Sequence, residues 1–315
     1  MLRIVDESRL GEKLSPEQLL AACHEGRPLT AYLGKQGSQF RVKAWDLGNG
    51  HLEVTVSRLT EWHEAEWDAV AIEGHLDALV RDREERADEL RAKHAEQAAR
   101  RAKRQVRQLC KAAGVDTLLT LTYKANQTDL ALCKAHLKEF NRRVLRVLPD
   151  FFFVAAFERQ ERGAWHVHLA TRRIPKAIAD RNEANGYKVK SYDVIRRIWR
   201  SVVGDLGGNV DVSRRKFTSG KTAAQIASYI AGYIVKEFAE GEKWSNRWTK
   251  YGDPGCEILR KPTVLGELDS LRGAIELAYS LTHVTQSVVV SRMDRWGDWF
   301  TLHAEPLPRG VTRLC

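Results

Sequence analysis

The sequence has few cysteines, and their placement excludes two architectures of small domains. Five cysteines are scattered over 315 residues, with no C-x-x-C pair among them. An odd, dispersed set argues against a disulfide scaffold and against a zinc ribbon. No apolar run approaches the roughly 20 residues that span a bilayer, and residues 1–11 carry charges where a signal peptide would be apolar. We therefore expect a folded protein of a reducing cytoplasm that does not associate with membranes.

The charge balance favours a polyanionic partner. Lys and Arg number 51 against 41 Asp and Glu, which gives a net charge of +10. Such an excess is typical of proteins that bind nucleic acid, although charge alone is a weak indication. One run between residues 100 and 107 places five basic residues in eight positions. This run is either a solvated helix face or a surface that contacts phosphates.

Composition and periodicity divide the chain into four segments. Residues 1–60 form a small β-rich region with strands predicted over 30–33, 40–45 and 52–56, separated by glycine-containing turns. Residues 61–113 contain one glycine and no proline, which predicts one or two long charged helices. Residues 114–240 form a core, and residues 241–315 form a C-terminal extension of unknown role, with a helix predicted over 265–281 and a strand over 287–290.

Within the core, the periodicity of apolar residues alternates between that of strands and that of helices. Strands are predicted over 117–123, 151–157, 165–171 and 209–212, and helices over 130–148, 192–203 and 223–238. The second and third strands form a hairpin, because a charged turn at 159–163 separates them. This order predicts an α+β fold with an antiparallel central sheet flanked by helices.

Two histidines on the second hairpin strand form a candidate metal site. His166 and His168 are two residues apart, so strand alternation points both imidazoles to one face, where they can bind one divalent cation. A third ligand is needed, and the preceding strand end offers Glu158 or Gln160; Glu158 is favoured for its charge. Imidazoles suit Mn, whereas a mixed site with a carboxylate and water also accepts Mg.

Two tyrosines on the last core helix are candidate nucleophiles. Tyr229 and Tyr233 are four residues apart and therefore share a helix face, and Lys236 follows. A phenol has a pKa of about 10, so it attacks a phosphodiester only when its proton is removed and a metal polarises the phosphate. The chance of finding both H-x-H and Y-x-x-x-Y in such a chain is roughly 0.06, so the joint signal is stronger than either motif.

These motifs, taken in order, resemble those of HUH endonucleases that initiate rolling-circle replication. The resemblance covers about residues 116–237 and is greatest to the replication proteins of filamentous phages; it rests on Thr120-Leu121-Thr122, His166-Val167-His168 and Tyr229-x-x-x-Tyr233-x-x-Lys236. It implies nicking of one DNA strand at a replication origin, a 5′-phosphotyrosine intermediate and religation. Tyr233 is the expected first nucleophile, because Lys236 follows it by three residues, whereas Gly232 occupies the equivalent position after Tyr229. Tyr229 is either an alternating partner or a structural phenol.

The implied partners are single-stranded or origin DNA and, as a further candidate, a host helicase, in the cytoplasm of a bacterial host. Five basic residues near strand ends are candidates for holding the DNA backbone: Arg172, Arg173, Arg214, Arg215 and Lys216. Two alternatives stay open. One is a transposase of the same chemistry, and the other is a non-catalytic basic DNA-binding protein.

Overall fold

The computed structural model describes residues 1–179, 188–214, 225–232, 248–256, 261–282 and 287–307. The strands in these ranges are β1 Leu2–Asp6, β2 Leu29–Asp46, β3 Leu52–Glu64, β4 Thr117–Tyr123, β5 Phe153–Arg159, β6 Trp165–Thr171, β7 Ala177–Ala179, β8 Lys188–Lys190, β9 Gly208–Arg214, β10 Trp248–Tyr251, β11 Thr263–Leu268, β12 Ser287–Met293 and β13 Trp299–Pro306. The helices are α1 Pro16–His24, α2 Ala69–Glu85, α3 Ala87–Ala112, α4 Leu130–Val144, α5 Ser191–Val203, α6 at residues 225–232 and α7 Leu271–Ser280, with short 3-10 turns at Glu7–Arg9 and Gly204–Leu206. None of these helices is long and apolar enough to cross a membrane.

The central sheet has five antiparallel strands in the order β10-β5-β6-β4-β9. Strand alternation divides its side chains between two apolar layers. One face carries residues such as Leu119, Phe157 and Leu169, and α4 and α5 cover it. On the other face, Val154, Ala156 and Ala170 belong to a cluster with side chains of α3 and α6. Helices on both sides of an antiparallel sheet confirm the predicted α+β fold.

Helix α4 shows how the sequence sets these layers. Asp129 caps its first turn by accepting hydrogen bonds from the backbone amides of Ala131 and Leu132. The helix buries Cys133, Leu137, Phe140 and Val144 at intervals of three or four residues. That apolar stripe packs against the central sheet because only one side of the helix is hydrophobic.

A second sheet combines strands from both ends of the described chain. Its order is β1-β2-β3-β13-β12, with β11 paired to β2. Strand β3 from the N-terminal region and β13 from the C-terminal region are direct neighbours, from Trp299 opposite Ser57 to Ala304 opposite Leu52. Helix α7 covers one face of this second sheet through Ala274 and Ala278. The N-terminal strands and the C-terminal extension therefore share one hydrophobic core.

A buried ion cluster joins α3 to the second sheet. Glu53 of β3 accepts hydrogen bonds from Arg107, from Gln108 at 3.0 Å and from Lys111 at 3.1 Å. Lys111 is also 3.6 Å from Glu305 of β13, and its side chain is 1% exposed. Burial raises the pKa of Glu53, but attraction from Arg107 and Lys111 outweighs it, so this pKa lies below its usual value. Two acids and two bases balance in this ion cluster.

The structure corrects the sequence predictions at several boundaries. Residues 265–268, predicted to begin a helix, continue strand β11, because they pair with β2; the helix starts only at Leu271, after the cap Ser270. Residues 61–64, predicted to be helical, extend strand β3, because they pair with residues 32–35 of β2. Helix α1 and strand β10 were not predicted. The predicted helix 223–238 and the predicted strands of the core agree with the structure where it describes them.

Candidate metal and tyrosine site

Strand β6 lies in the middle of the central sheet and presents its two histidines to one face. Trp165, Val167 and Leu169 point into the apolar layer under α4 and α5. His166 and His168 alternate with them and therefore share the opposite face with Ala170. In the register, His166 lies opposite Glu158 of β5, and His168 lies opposite Thr120 of β4. The sequence prediction of a common face for the two imidazoles is consistent with this register.

His168 is fixed by a hydrogen bond at each ring nitrogen. Its Nε2 lies 2.8 Å from a carboxylate oxygen of Glu158, and its Nδ1 lies 3.2 Å from the Thr120 hydroxyl. The His168 side chain is 7% exposed, and that of Glu158 is 18% exposed. Two partners on neighbouring strands hold the ring in one orientation, as the outer partners of metal-binding histidines do.

His166 is the more accessible of the pair. Its ring centroid is 6.5 Å from that of His168, and the two ring planes differ by 59°. Burial lowers the pKa of His166, and the positive field of His168 and Arg162 acts in the same direction against Glu158. Burial also lowers the pKa of His168 and outweighs the opposing influence of Glu158. Both imidazoles are therefore neutral near pH 7, which is the form that binds a metal.

The donor set fits a divalent cation in its chemistry, with two imidazoles and one carboxylate. Two ligand atoms that are about 2.1 Å from one cation and separated by about 90° lie about 3 Å apart, which is close to the separation of His168 and Glu158. Across the residues that the structure describes, no three His, Cys, Asp or Glu side chains converge as a metal-binding group. His166 is thus the ligand whose ring stands farthest from the other two. Gln160 lies in the hairpin turn, where its side chain accepts a hydrogen bond from Arg162.

Helix α6 packs on the same face of the central sheet as the histidines. Its buried residues Ala227, Ile230 and Ala231 belong to the cluster that contains Ala156 and Ala170. Ala156 lies directly opposite His168, and Ala170 is two residues further along β6. The helix that carries the tyrosine motif is therefore packed beside the strands that carry the metal ligands.

Tyr229 lies on α6, and its side chain is 52% exposed. Its neighbour Ile230 is fully buried, so Tyr229 projects away from the apolar contact of this helix. Tyr233 and Lys236 lie outside the described residues. Their roles remain predictions from the sequence.

The five predicted DNA contacts have different surroundings. Arg172 donates to the backbone carbonyls of Ala113, at 3.1 Å, and Asp253, at 2.9 Å, so it ties the end of β6 to α3 and to the loop after β10. Arg173 is exposed. Arg214 ends β9, its side chain is not described, and Arg215 and Lys216 lie outside the described residues. Of these five residues, only Arg173 is thus described as an exposed base.

Two residues near the histidines were given no role from the sequence. Thr120 belongs to the first motif, but its contact with Nδ1 of His168 depends on the pairing of β4 with β6, which the motif does not specify. Arg162 in the hairpin turn donates to the backbone carbonyl of Tyr123 at 3.1 Å and places a positive charge near His166. A basic residue in a turn beside a histidine strand was the available signal for Arg162.

The matched family agrees with this arrangement. Residues 116–238 match the family model for the replication-associated protein called ORF2 or gene 2 protein, and the match covers less than half of the chain. This segment begins just before β4 and includes the two histidines and both tyrosines. No curated protein and no solved structure matches the chain. The match supports a replication-associated role for this segment and, with it, the resemblance to replication initiators.

Proposed function

We propose that the chain is an HUH-type endonuclease that initiates rolling-circle replication by nicking and rejoining one DNA strand at a specific site. The observation that carries the proposal is the face of the central sheet on which α6 packs. There His166, His168 and Glu158 gather on adjacent strands, and helix α6 with Tyr229 lies on the same side. The likeness of residues 116–238 to replication-associated proteins gives this chemistry its biological setting.

The reaction proposed for this site is the transfer of a phosphodiester to tyrosine. A divalent cation, Mn or Mg, held by His166, His168 and Glu158 would act as a Lewis acid on the scissile phosphate. The phenolic oxygen forms a bond to phosphorus, and the bond from phosphorus to the 3′ oxygen breaks. The phenolic proton is lost, and the departing oxygen takes up a proton to become a 3′ hydroxyl. Rejoining reverses these steps, so no external energy source is needed.

The chain's own groups would prepare this transfer. When Nε2 of His168 binds a cation, its neutral ring carries the proton on Nδ1 and donates it to the Thr120 hydroxyl. Because a hydroxyl can both donate and accept, Thr120 can hold the ring in either tautomer. Lys236 is assigned the stabilisation of the phenolate. Tyr233 is the proposed first nucleophile, and Tyr229 either performs a second transfer or supports the helix.

The substrate of this reaction is single-stranded DNA, exposed at a replication origin in the cytoplasm of a bacterial host, with a host helicase as the candidate protein partner. Single-stranded DNA leaves the scissile phosphate free to approach the face of a sheet. Arg173 is placed at the end of β6 to contact the DNA backbone, and the same role is proposed for Arg172, Arg214, Arg215 and Lys216.

A direct test incubates the protein with Mn and a scanned set of single-stranded oligonucleotides and looks for a covalent shift on a denaturing gel. We expect a metal-dependent adduct that Tyr233→Phe abolishes, because only the phenolic oxygen can form the bond. Tyr279→Phe, on α7 of the second sheet, is the matched control and should retain the adduct. A full-strength adduct from the Tyr233 variant would refute that assignment, and the same assay on Tyr229→Phe separates its two possible roles.

The test also addresses the alternatives. A transposase would use the same residues but would cleave the terminal repeats of an element rather than a replication origin. A non-catalytic DNA-binding protein would show no adduct with any oligonucleotide, and a chelator would leave its DNA affinity unchanged.

A further inference from the structure

The face of the second sheet that α7 does not cover carries aromatic, hydroxyl and basic side chains in rows across the strands. In one row, Trp299 lies opposite Ser57, which lies opposite Arg41. In the next row, Arg292 lies opposite Thr301. Thr301 in turn lies opposite Thr55, and Thr55 opposite Lys43. Directly opposed residues of antiparallel strands point to the same face, so these rows form one continuous surface. We call it the open face of the second sheet.

The turn between β12 and β13 holds two tryptophans at the edge of this face. Trp296 is 75% exposed, and Trp299 is 43% exposed. The Asp294 carboxylate accepts hydrogen bonds from the backbone amides of both residues, at 3.2 and 3.0 Å, which fixes the turn. Arg295 places its guanidinium 5.2 Å from the centre of the Trp296 ring. The turn thus presents two held indole rings to solvent instead of burying them.

The acidic groups around the open face are already engaged, whereas several bases are available. Asp298 accepts from Arg58 at 3.1 Å, and Glu267 pairs with Arg41 at 2.6 Å. Within the ranges that the structure describes, no ion pair is found for Lys43 or Arg292. The surface therefore has an excess of positive charge next to its aromatic edge.

Helix α3 adds further bases beside this face. Arg107 reaches Glu53 and His303, which form the row after Thr301 and Thr55. Helix periodicity places Arg100, Lys103 and Arg104 on the same side of α3 as Arg107. All three are exposed. The basic run noted in the sequence therefore lies on the side of α3 that faces the second sheet.

We propose that the open face of the second sheet binds single-stranded DNA through base stacking on Trp296 and Trp299 and through phosphate contacts with Lys43, Arg292 and Arg295. Proteins that bind single strands combine a basic surface with aromatic rings on which bases stack. Protein interfaces, in contrast, are depleted in lysine. This inference rests on the proposed function for the origin of the single strand, which a nick would release beside the nuclease site.

The first experiment measures the affinity of the full chain for a fluorescent single strand of about 16 nucleotides, which is within the usual site size. A chelator is present throughout, so no cleavage contributes. Replacing both tryptophans by leucine (W296L/W299L) should weaken binding at least about 5-fold, because leucine is apolar but has no flat ring on which a base can stack. The matched variant W296F/W299F keeps flat rings and should retain most of the affinity.

The second experiment measures how affinity depends on salt. Each phosphate neutralised on a single strand contributes about 0.7 to the slope of log affinity against log salt. The triple variant K43Q/R292Q/R295Q should therefore lower the slope by about 2. Lys138→Gln is the matched control, since Lys138 is an exposed residue of α4, on the far side of the central sheet from the histidines. It should leave the slope unchanged.

Three outcomes overturn the inference: leucine variants that bind as tightly as the parent, an unchanged salt slope in the triple variant, or duplex DNA that binds as well as the single strand. If the open face instead contacts another protein, the leucine variants lose that partner and keep their DNA affinity, which also overturns it. Failure of the proposed function is seen separately, as the absence of a covalent adduct in the Mn assay, and would leave these binding results standing.

Discussion

Loss of Glu53 should destabilise the protein strongly, because this carboxylate neutralises bases that cannot reach water. It accepts hydrogen bonds from Arg107, Gln108 and Lys111, and its side chain is 4% exposed. In Glu53→Leu, the positive charges of Arg107 and Lys111 would face Glu305 alone. Breaking a buried ion pair by removing one partner costs about 3–5 kcal/mol. We expect a loss of that size in the free energy of unfolding.

A double variant separates the effect of an unpaired charge from a loss of packing. Glu53→Leu combined with Lys111→Met leaves Arg107 against Glu305, so the charges balance again. Apolar replacement of a whole buried pair is often neutral or stabilising. The double variant should therefore be more stable than Glu53→Leu alone, by most of the lost free energy.

Urea unfolding, followed by tryptophan fluorescence, measures these differences through the midpoint at constant slope. Glu64→Leu, an exposed position at the end of the same strand, is the control and should change stability by no more than about 0.5 kcal/mol. The reasoning fails if Glu53→Leu unfolds at the same urea concentration as Glu64→Leu, or if adding Lys111→Met deepens the loss.

Two further predictions concern the metal site and acid stability. Thr120→Val preserves the shape of the side chain but removes the hydroxyl that holds His168, so calorimetry should show Mn affinity about 10-fold weaker; unchanged affinity would exclude this role. Burial, with help from Lys111, lowers the pKa of His51 to about 4, against Glu53. An unfolded histidine titrates near pH 6.5, so this contribution to stability is complete above pH 6.5 and is lost as the pH falls towards 4, by about 3 kcal/mol in total. Urea unfolding of His51→Gln should show that much less acid destabilisation, whereas the exposed control His63→Gln should match the parent.

The sequence predicted the core elements because their signals are local. Strand β6 alternates apolar residues with His166, His168 and Ala170, and α4 repeats its apolar residues every three or four positions. Both patterns follow from the geometry of one element. The common face of the histidines is equally local, since it needs only the period of a strand.

The contacts that depend on pairing between distant segments could not be read from the sequence. The bond between Thr120 and His168 requires the register of β4 against β6, and the shared second sheet requires β3 to meet β13. Strand β10 is four residues long, too short for a clear periodicity. Helix α1 was within reach, because Ser15 and Gln18 form a capping box and Pro16 occupies its first turn.

The pairing of β3 with β13 has a consequence for biosynthesis. Arg58 and Asp298 are 240 positions apart, so the early strands leave the ribosome long before their partners exist. Closing so long a loop in an unfolded chain is entropically unfavourable, and prior folding of the intervening nuclease core shortens it. The second sheet should therefore form last, and translation products that stop before β12 would carry the histidine strand but lack the tryptophan turn.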